Sequence, residues 1–393
     1  MTATSNGKAV KAAPPAKSTA RLPHGEGKRG LLAFVERRQL ELYATFLLAI
    51  LGGNALTPPD YHLSTTLTPA PSFHLRSRLS RCLFLSFRQP NTDLYYKGRD
   101  DAYFIGYWVV LFLFAREALM RWVFEPFARF CGIWSRRLVV RFAEQAWLIV
   151  YYLASFSVGI YINQTSDYAS LNTVEWWRGY PHDALPALTK WYYLVQTAFW
   201  IQQIITLNLE AKRKDFGQMF THHIITMLLM SFSYVLNWTR IGNTVLCTMD
   251  LSDIFFSLAK VFKYAGNNKA ADGTFVVFLI SWIATRHVIF CKILYAVITE
   301  PQTVLEYGWR SQDGYFFSRN VQISFALLLG SLQLLMCLWM WLILRVLYKM
   351  FLGGSAEDVR SDDEDEGEEE DEPVKANGHS NGANGQAERK KDR

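Results

Sequence analysis

Cysteine is scarce in this sequence, and the few cysteines fit neither a disulfide framework nor a zinc site. The 393 residues include five cysteines, and no two of them form a CxxC pair. Three of the five lie within apolar segments, where thiols are usually buried and inert. No nucleic-acid motif is present either. Basic residues outnumber acidic ones by 41 to 35, but they fall in short clusters between apolar segments, which indicates contact with lipid rather than with nucleic acid.

Long apolar segments predict an all-α fold, a multi-pass transmembrane helical bundle. Half of the residues are hydrophobic, and 15% are aromatic. A helix needs roughly 20 apolar residues to cross about 30 Å of hydrocarbon. Eight segments meet this condition approximately, and they run from about Leu40 to Leu56, Tyr103 to Phe124, Ala143 to Ile162, Trp191 to Leu209, Phe216 to Trp238, Val245 to Phe262, Phe275 to Ile298 and Val321 to Phe351.

The spans divide the chain into four regions. Residues 1–35 are predicted to be a disordered basic tail, and residues 36–102 to hold the first span and an irregular loop. Residues 103–352 form the main transmembrane bundle, and residues 353–393 a disordered acidic tail. No cleavable signal peptide is visible, so the first span is expected to act as the insertion signal.

Basic loops orient the bundle with both termini in the cytosol. One loop does not fit, because the stretch from Pro58 to Ala102 is assigned to the lumenal side yet carries six basic residues: Arg76, Arg78, Arg81, Arg88, Lys97 and Arg99. Two glycosylation sequons, at Asn163 and Asn237, also fall on that side.

The C-terminal tail contains candidate phosphorylation sites and a candidate signal for localisation to the endoplasmic reticulum. Ten of the eleven residues after Ser361 are acidic, a context that acidophilic kinases favour, so Ser355 and Ser361 are candidate phosphorylation sites. Lys390 and Lys391 stand fourth and third from the end. This spacing matches a dilysine signal for the endoplasmic reticulum.

Ionisable residues inside the predicted spans are candidate functional residues, because each is costly in a bilayer. The fifth span begins with His222 and His223, and the sixth contains Asp250 and Asp253. A short turn near Arg240–Asn243 makes these spans antiparallel neighbours, so the imidazoles and carboxylates are expected to meet across one interface. A carboxylate beside an imidazole suits a general base or a nucleophile for acyl transfer to an amine.

Other interpretations of these residues stay open at this point. Adjacent histidines lie about 100° apart on a helix, so one is expected to carry the chemistry and the other to position or pack. The pairs could also simply hold two spans together. Eight histidines in total, five of them outside the spans, are too few for a di-iron site. A single zinc held by His222, His223 and an aspartate remains an alternative.

The sequence from Tyr95 to Arg345 resembles the ceramide synthases, of the fungal type. The resemblance is carried by the segment from Glu210 to Tyr264, with its THH and MDLSD motifs, by YYKGRDDAYFIGYW and YPHDALPALTKWYYLVQTAFWIQQ before it, and by WIATRH and LLGSLQLLMCLWMWLILR after it. The Glu210–Tyr264 segment looks like the longevity-assurance motif, which lies within the TLC domain shared with translocon-associated proteins.

The resemblance implies an enzyme that joins a fatty acyl-CoA, one with a very long chain, to a sphingoid base such as sphinganine or phytosphingosine. It implies that His222, His223, Asp250 and Asp253 are catalytic, with no cofactor and no metal. It also implies a location in the endoplasmic reticulum membrane, a small single-pass regulatory subunit and a homo- or hetero-dimer. Arg286 and His287 in the seventh span, and Lys212, Arg213, Lys214 and Lys260 near the cytosolic side, are candidates for substrate binding.

Two other functions compete with this one. A non-catalytic TLC-domain protein, lipid-sensing or associated with the translocon, would share the bundle but would have no need for the paired histidines and aspartates. A transporter with a relay at the midplane would show paired Gly or Pro interruptions in corresponding halves, and none is evident in the sequence.

Overall fold

The computed structural model describes residues 26–56, 79–210 and 215–351. Within these ranges it contains one helix for each predicted span. They are α1 (Glu26–Leu56), α2 (Asp101–Phe130), α3 (Arg136–Thr165), α4 (Ala187–Leu209), α5 (Phe216–Val235), α6 (Thr239–Tyr264), α7 (Asn268–Thr299) and α8 (Arg319–Phe351). A π-helical turn interrupts two of them, at Met120–Phe124 in α2 and at Ile283–Ile289 in α7.

The all-α membrane bundle is confirmed, whereas the number of spans stays a prediction. Four helices are long and apolar enough to cross a membrane by themselves, namely α2, α3, α7 and α8. The other four helices fall below these limits, and we predict from the sequence that they span the membrane as well. α1 begins at Glu26, inside the segment expected to be disordered, because Glu, Lys, Arg, Leu and Ala there favour a helix. The acidic tail, Ser355, Ser361, Lys390 and Lys391 lie outside the described residues.

Helices α5 and α6 are antiparallel neighbours, as predicted, but the turn between them lies earlier than expected. α5 ends at Val235 and α6 begins at Thr239, so Arg240–Asn243 is the first turn of α6. The first turn of α6 is polar, so a hydropathy profile places the start of this helix too late in the sequence. The turn itself contains Asn237 with φ +64°, a conformation that asparagine tolerates better than most residues. α6 ends before Gly266, whose φ of +75° suits a helix terminus.

Three helices meet closely at the centre of the bundle. A side chain at Gly159 of α3 would collide with the Tyr192 hydroxyl of α4 and would press on Cys247 of α6. Towards α2, aromatic rings fill the space, and the rings of Phe112 and Phe199 lie 5.7 Å apart. This close approach brings polar side chains from α3, α4 and α6 within hydrogen-bonding distance of each other.

A two-stranded ribbon and two loops close one end of the bundle, which we call the ribbon end. Strand β1 (Leu94–Tyr96) pairs antiparallel with β2 (Ala184–Pro186). The loops over residues 166–186 and 300–318 pack beside them around a cluster that includes Trp177, Trp238 and Phe317. α2, α4 and α6 end at the opposite end.

The ribbon end accounts for part of the irregular basic stretch. Arg81 pairs with Asp100 at 2.9 Å, and Arg88 pairs with Asp93 at 2.7 Å. Lys97 donates to the Asn237 side chain at 2.6 Å, and its burial lowers the pKa of its amine to about 7. Local partners therefore offset much of the charge of this loop. Residues 57–78, which include Arg76 and Arg78, lie outside the described part of the chain.

Both sequon asparagines are buried, and their side chains are engaged. The Asn163 amide donates to the Gly159 carbonyl at 3.0 Å, and the Asn237 amide donates to the Gly314 carbonyl at 2.8 Å. A glycan at either nitrogen would have to displace these contacts. The folded chain therefore offers neither amide to a glycan.

A buried ion pair joins α4 to the start of α2. The Lys190 amine lies 2.7 Å from the Asp101 carboxylate, and both side chains are almost completely buried. Lys190 also donates to the carbonyls of Ser86 and Tyr96, and Asp101 accepts from the Tyr234 hydroxyl. Removal of one partner from such a pair typically costs about 3–5 kcal/mol. The pair therefore fixes the ribbon end to the bundle.

Candidate active site

Two neighbouring cavities lie within the bundle and share part of their lining. The larger, which we call the outer chamber, has a volume of about 300 Å³ and reaches the end opposite the ribbon. Charged side chains surround its mouth, among them Arg116, Arg141, Glu144, Glu210, Asp215 and Lys260. The smaller, which we call the inner cavity, has a volume of about 60 Å³ and continues towards Trp238 at the ribbon end. Its walls are mainly apolar.

The junction between the two cavities is lined by four side chains. Trp200, His222, Asp253 and Arg286 border both the outer chamber and the inner cavity. They come from α4, α5, α6 and α7, respectively. The sequence expectation that the ionisable residues of neighbouring spans face one space is therefore met at this junction.

Both histidines of α5 reach the outer chamber, although they are adjacent in the chain. Their ring centres lie 5.5 Å apart, and the Trp200 ring lies 5.5 Å from His222 and 5.4 Å from His223. The three rings thus form a triangle with edge-to-face contacts. Because Trp200 packs against both imidazoles, neither histidine is turned away into lipid.

The two imidazoles differ in their hydrogen bonding. His223 Nδ1 lies 2.5 Å from the Met219 carbonyl, to which it can only donate, and this leaves the Nε2 lone pair free. His222 Nδ1 is buried without a hydrogen-bond partner, and the ring lies edge-to-face against Trp339 at 5.2 Å. His222 alone of the pair also borders the inner cavity.

Asp253 forms an ion pair between α6 and α7 with the buried side chain of Arg286, and Asp253 itself is partly exposed to the outer chamber. The guanidinium Nη2 lies 2.6 Å from Asp253 Oδ1, and Nε donates to the Ser252 hydroxyl at 3.0 Å. The guanidinium also lies 4.3 Å above the Trp282 ring. Arg286 belongs to the π-helical turn of α7, and such turns frequently occur at functional sites.

Asp250 has different partners. Its Oδ2 accepts a hydrogen bond from the Ser155 hydroxyl at 2.6 Å and another from the Gln196 amide at 3.2 Å. Neither aspartate forms a hydrogen bond with a histidine in the described part of the chain. Arg286 attracts one carboxylate and neutral donors occupy the other, so the two pairs share a cavity rather than a hydrogen bond.

Comparison with known proteins gives the family. Residues 141–345 match the TLC domain. The sphingosine N-acyltransferase lag1 of Schizosaccharomyces pombe is 41% identical over 296 residues, which are 75% of each chain. The ceramide synthase LAG1 of Saccharomyces cerevisiae is 36% identical over 319 residues, which are 79% of this chain and 75% of that protein. The chain belongs to the ceramide synthase family. The resemblance noted in the sequence is thus confirmed.

The other predicted substrate-binding residues of this ceramide synthase family member are placed unevenly. Lys260 lines the outer chamber, with its amine 4.3 Å from the Phe256 ring centre. His287 borders neither cavity. Its ring faces α8 instead, where Gln333 Nε2 lies 3.1 Å from its Nδ1. Lys212, Arg213 and Lys214 lie outside the described residues.

Sequence reasoning missed four residues of the site: Ser155, Gln196, Trp200 and Arg116. Gln196 and Ser155 are polar residues within apolar spans, and this signal could have found them. Trp200 could not be told from the many tryptophans typical of membrane interfaces. Arg116 lies in a span that was read as apolar, and it pairs with Glu210 at 2.5 Å.

The zinc alternative finds no support in this arrangement. Within residues 26–56, 79–210 and 215–351, no three His, Cys, Asp or Glu side chains lie close enough to hold a metal ion. The two histidines and the nearest aspartates instead have the separate partners described above.

The Arg286–Asp253 pair can be tested with a double-mutant cycle. Asp253→Asn should destabilise the solubilised protein by about 3–5 kcal/mol, because it leaves the buried Arg286 guanidinium unpaired. Arg286→Met should cost less, because the Asp253 carboxylate that it leaves unpaired is 23% exposed. The double variant should recover part of these losses, with a coupling free energy of about 0.5–3 kcal/mol. Unfolding free energies in detergent measure the effect.

The exposed Arg310–Asp313 pair, at 3.6 Å, serves as the control. Arg310→Met should cost no more than about 1 kcal/mol. Strictly additive losses for Arg286→Met and Asp253→Asn would show that these two residues do not act as a pair.

Proposed function

We propose that the chain acylates the amine of a sphingoid base with a fatty acyl-CoA at the junction of the two cavities. His222, His223, Asp250 and Asp253 are the proposed catalytic site. The observation that carries the proposal is the position of the histidine pair, where a polar chamber meets an apolar cavity. The names of the curated relatives, sphingosine N-acyltransferase and ceramide synthase, support the same reaction.

The two cavities suit the two ends of an acyl-CoA. The CoA portion is polyanionic, and Arg116, Arg141 and Lys260 stand at the mouth of the outer chamber. The acyl chain would enter the inner cavity, which follows α6 from Asp253 to Ile241, a rise of roughly 18 Å. At about 60 Å³ the cavity is too small for an acyl chain of this length, so its walls must move apart when the substrate binds. A very long chain, as we propose for the substrate, would also displace the stacked rings of Trp238 and Phe325, 4.2 Å apart at the inner end.

In the proposed reaction, His222 Nε2 attacks the thioester carbonyl of the acyl-CoA. The carbon–sulfur bond breaks, which gives an acyl-imidazolium and a CoA thiolate. The thiolate takes one proton from the ammonium group of the sphingoid base and leaves as the thiol. The resulting amine attacks the acyl group, the carbon–nitrogen bond to His222 breaks, and neutral imidazole returns. His223 Nε2 accepts the second amine proton and passes it to solvent through the chamber mouth.

Arg286 and Asp253 have supporting roles in this mechanism. The Arg286 guanidinium borders both cavities. Its positive charge therefore stabilises the oxyanion that the carbonyl oxygen becomes during each attack. Asp253 fixes the guanidinium at 2.6 Å. A cation held in this way needs no rearrangement when the negative charge develops.

Orientation and assembly are proposals as well. We place the protein in the endoplasmic reticulum membrane, with the chamber mouth and both termini on the cytosolic side, where acyl-CoA is found. A small single-pass subunit and a homo- or hetero-dimer are the proposed partners. Tags at both termini should be digested by protease in sealed microsomes. Protection of either tag would contradict the orientation.

The reaction is tested with purified protein, sphinganine and acyl-CoAs of graded length. His222→Ala and His223→Ala should each lower kcat by about 10²–10⁴-fold, the range typical of general acid–base groups. His287→Ala is the matched control, because His287 borders neither cavity, and it should retain activity. Equal losses in all three variants would refute this site.

The same assay distinguishes the proposed reaction from the second function, that of a non-catalytic protein. A wild-type protein that forms no ceramide from any of these acyl-CoAs would favour a non-catalytic TLC-domain protein instead.

A further inference from the structure

Asp250 is a buried carboxylate that no cation among the described residues contacts through an ion pair or a hydrogen bond. It is 2% exposed, and the two groups that donate to its Oδ2, the Ser155 hydroxyl and the Gln196 amide, are both neutral. Arg286 is bonded to Asp253 instead. Within the described residues Asp250 forms no ion pair. The two aspartates of the site are therefore held in different ways.

The donors of Asp250 are themselves fixed by a hydrogen-bond network. The Tyr151 hydroxyl donates to Gln196 Oε1 at 2.5 Å, which orients the amide. Gln196 Nε2 then faces the Tyr192 hydroxyl at 3.0 Å, the Ser155 hydroxyl and Asp250. Gln196 is 1% exposed. Donors from α3 and α4 thus converge on one carboxylate oxygen of Asp250 in α6, and no other described residue forms a hydrogen bond with its second oxygen.

The position of Asp250 indicates what could partner it. The residue lines the inner cavity, one helical turn from Asp253 at the junction. A carboxylate in an apolar environment is costly unless a cation pairs with it. The cation that the proposed reaction brings to this point is the protonated amine of the second substrate.

We propose that Asp250 binds the ammonium group of the sphingoid base, and that Ser155 and Gln196 are positioning residues that hold the carboxylate for this contact. The inference rests on the proposed function. It gives the two aspartates separate tasks, since Asp253 fixes Arg286 for the acyl group while Asp250 recognises the amine. The amine then lies within one helical turn of the acyl group that it attacks.

Binding of a charged and a neutral ligand tests the inference without turnover. The charged probe is N,N-dimethylsphinganine, whose protonated amine keeps one N–H but cannot form a stable amide. The neutral probe carries a hydroxyl in place of the amine. Wild type should bind the charged probe about tenfold to hundredfold more tightly, as expected for a hydrogen bond to a charged group. Asp250→Asn should abolish this preference.

Variants of Ser155 and Gln196 show whether the hydrogen-bond network around Asp250 positions its carboxylate. Ser155→Ala and Gln196→Leu should reduce the preference, and Ser155→Thr, which keeps the hydroxyl, should largely retain it. Ser157→Ala is the matched control, because Ser157 is exposed two residues further along α3. If Asp250→Asn does not fold, the comparison of Ser155→Ala with Ser155→Thr decides the question.

Two results would overturn the inference. One is an unchanged preference in Asp250→Asn, and the other is a Ser155→Ala protein that behaves like Ser157→Ala. Ceramide formation by the wild type is measured separately with sphinganine and acyl-CoA. An active wild type with an unchanged preference in Asp250→Asn contradicts only the role of Asp250, whereas an inactive wild type contradicts the proposed function.

Discussion

A charged side chain inside a bilayer needs a partner within the protein, and the Arg286–Asp253 pair shows how this bundle meets that requirement. The pair joins α7 to α6 at the point where the outer chamber and the inner cavity meet. Lys190 and Asp101 form a second pair, which is buried, near the ribbon end. The inner cavity extends through the bundle from the first pair towards the ribbon end.

This arrangement explains why the site is polar at one end only. The mouth of the outer chamber is lined by charged groups from the ends of several helices, whereas the inner cavity is lined by residues such as Leu229, Val245 and Leu332. An amphiphilic substrate is therefore oriented by the cavity before any specific contact forms. The histidine pair stands at the boundary, where the polar and apolar parts of an acyl-CoA join.

The sequence predicted the eight helices, the pairing of α5 with α6 and the convergence of His222, Asp253 and Arg286. Apolar segments, and the ionisable residues that lie within them, can be recognised in the sequence itself. The partners of each carboxylate were not predictable, because they depend on how α3 and α4 are rotated against α6. Ser155 and Gln196 reach Asp250 only through the close approach at Gly159.

Other differences have equally specific causes. Arg286 and His287 are adjacent in α7, so their side chains point about 100° apart. Arg286 faces the junction, and His287 faces Gln333 on α8. Both residues are predicted from the sequence to bind substrate, because the sequence does not show which side of α7 faces the cavity. The basic residues of the irregular loop are likewise stabilised by ion pairs, such as that of Arg81 with Asp100. A hydropathy profile does not predict such partners.

The central claim is that the acyl group lies in the inner cavity with its carbonyl carbon at His222. Photochemical labelling tests this claim most directly. An acyl-CoA with a diazirine at the end of its chain would be bound and irradiated, and the labelled peptides identified by mass spectrometry. We expect labels on residues that line the inner cavity, such as Leu229, Met249 and Leu329, and competition by unlabelled acyl-CoA. Labels confined to outward-facing positions of α8, such as Leu327 and Leu334, would contradict the account.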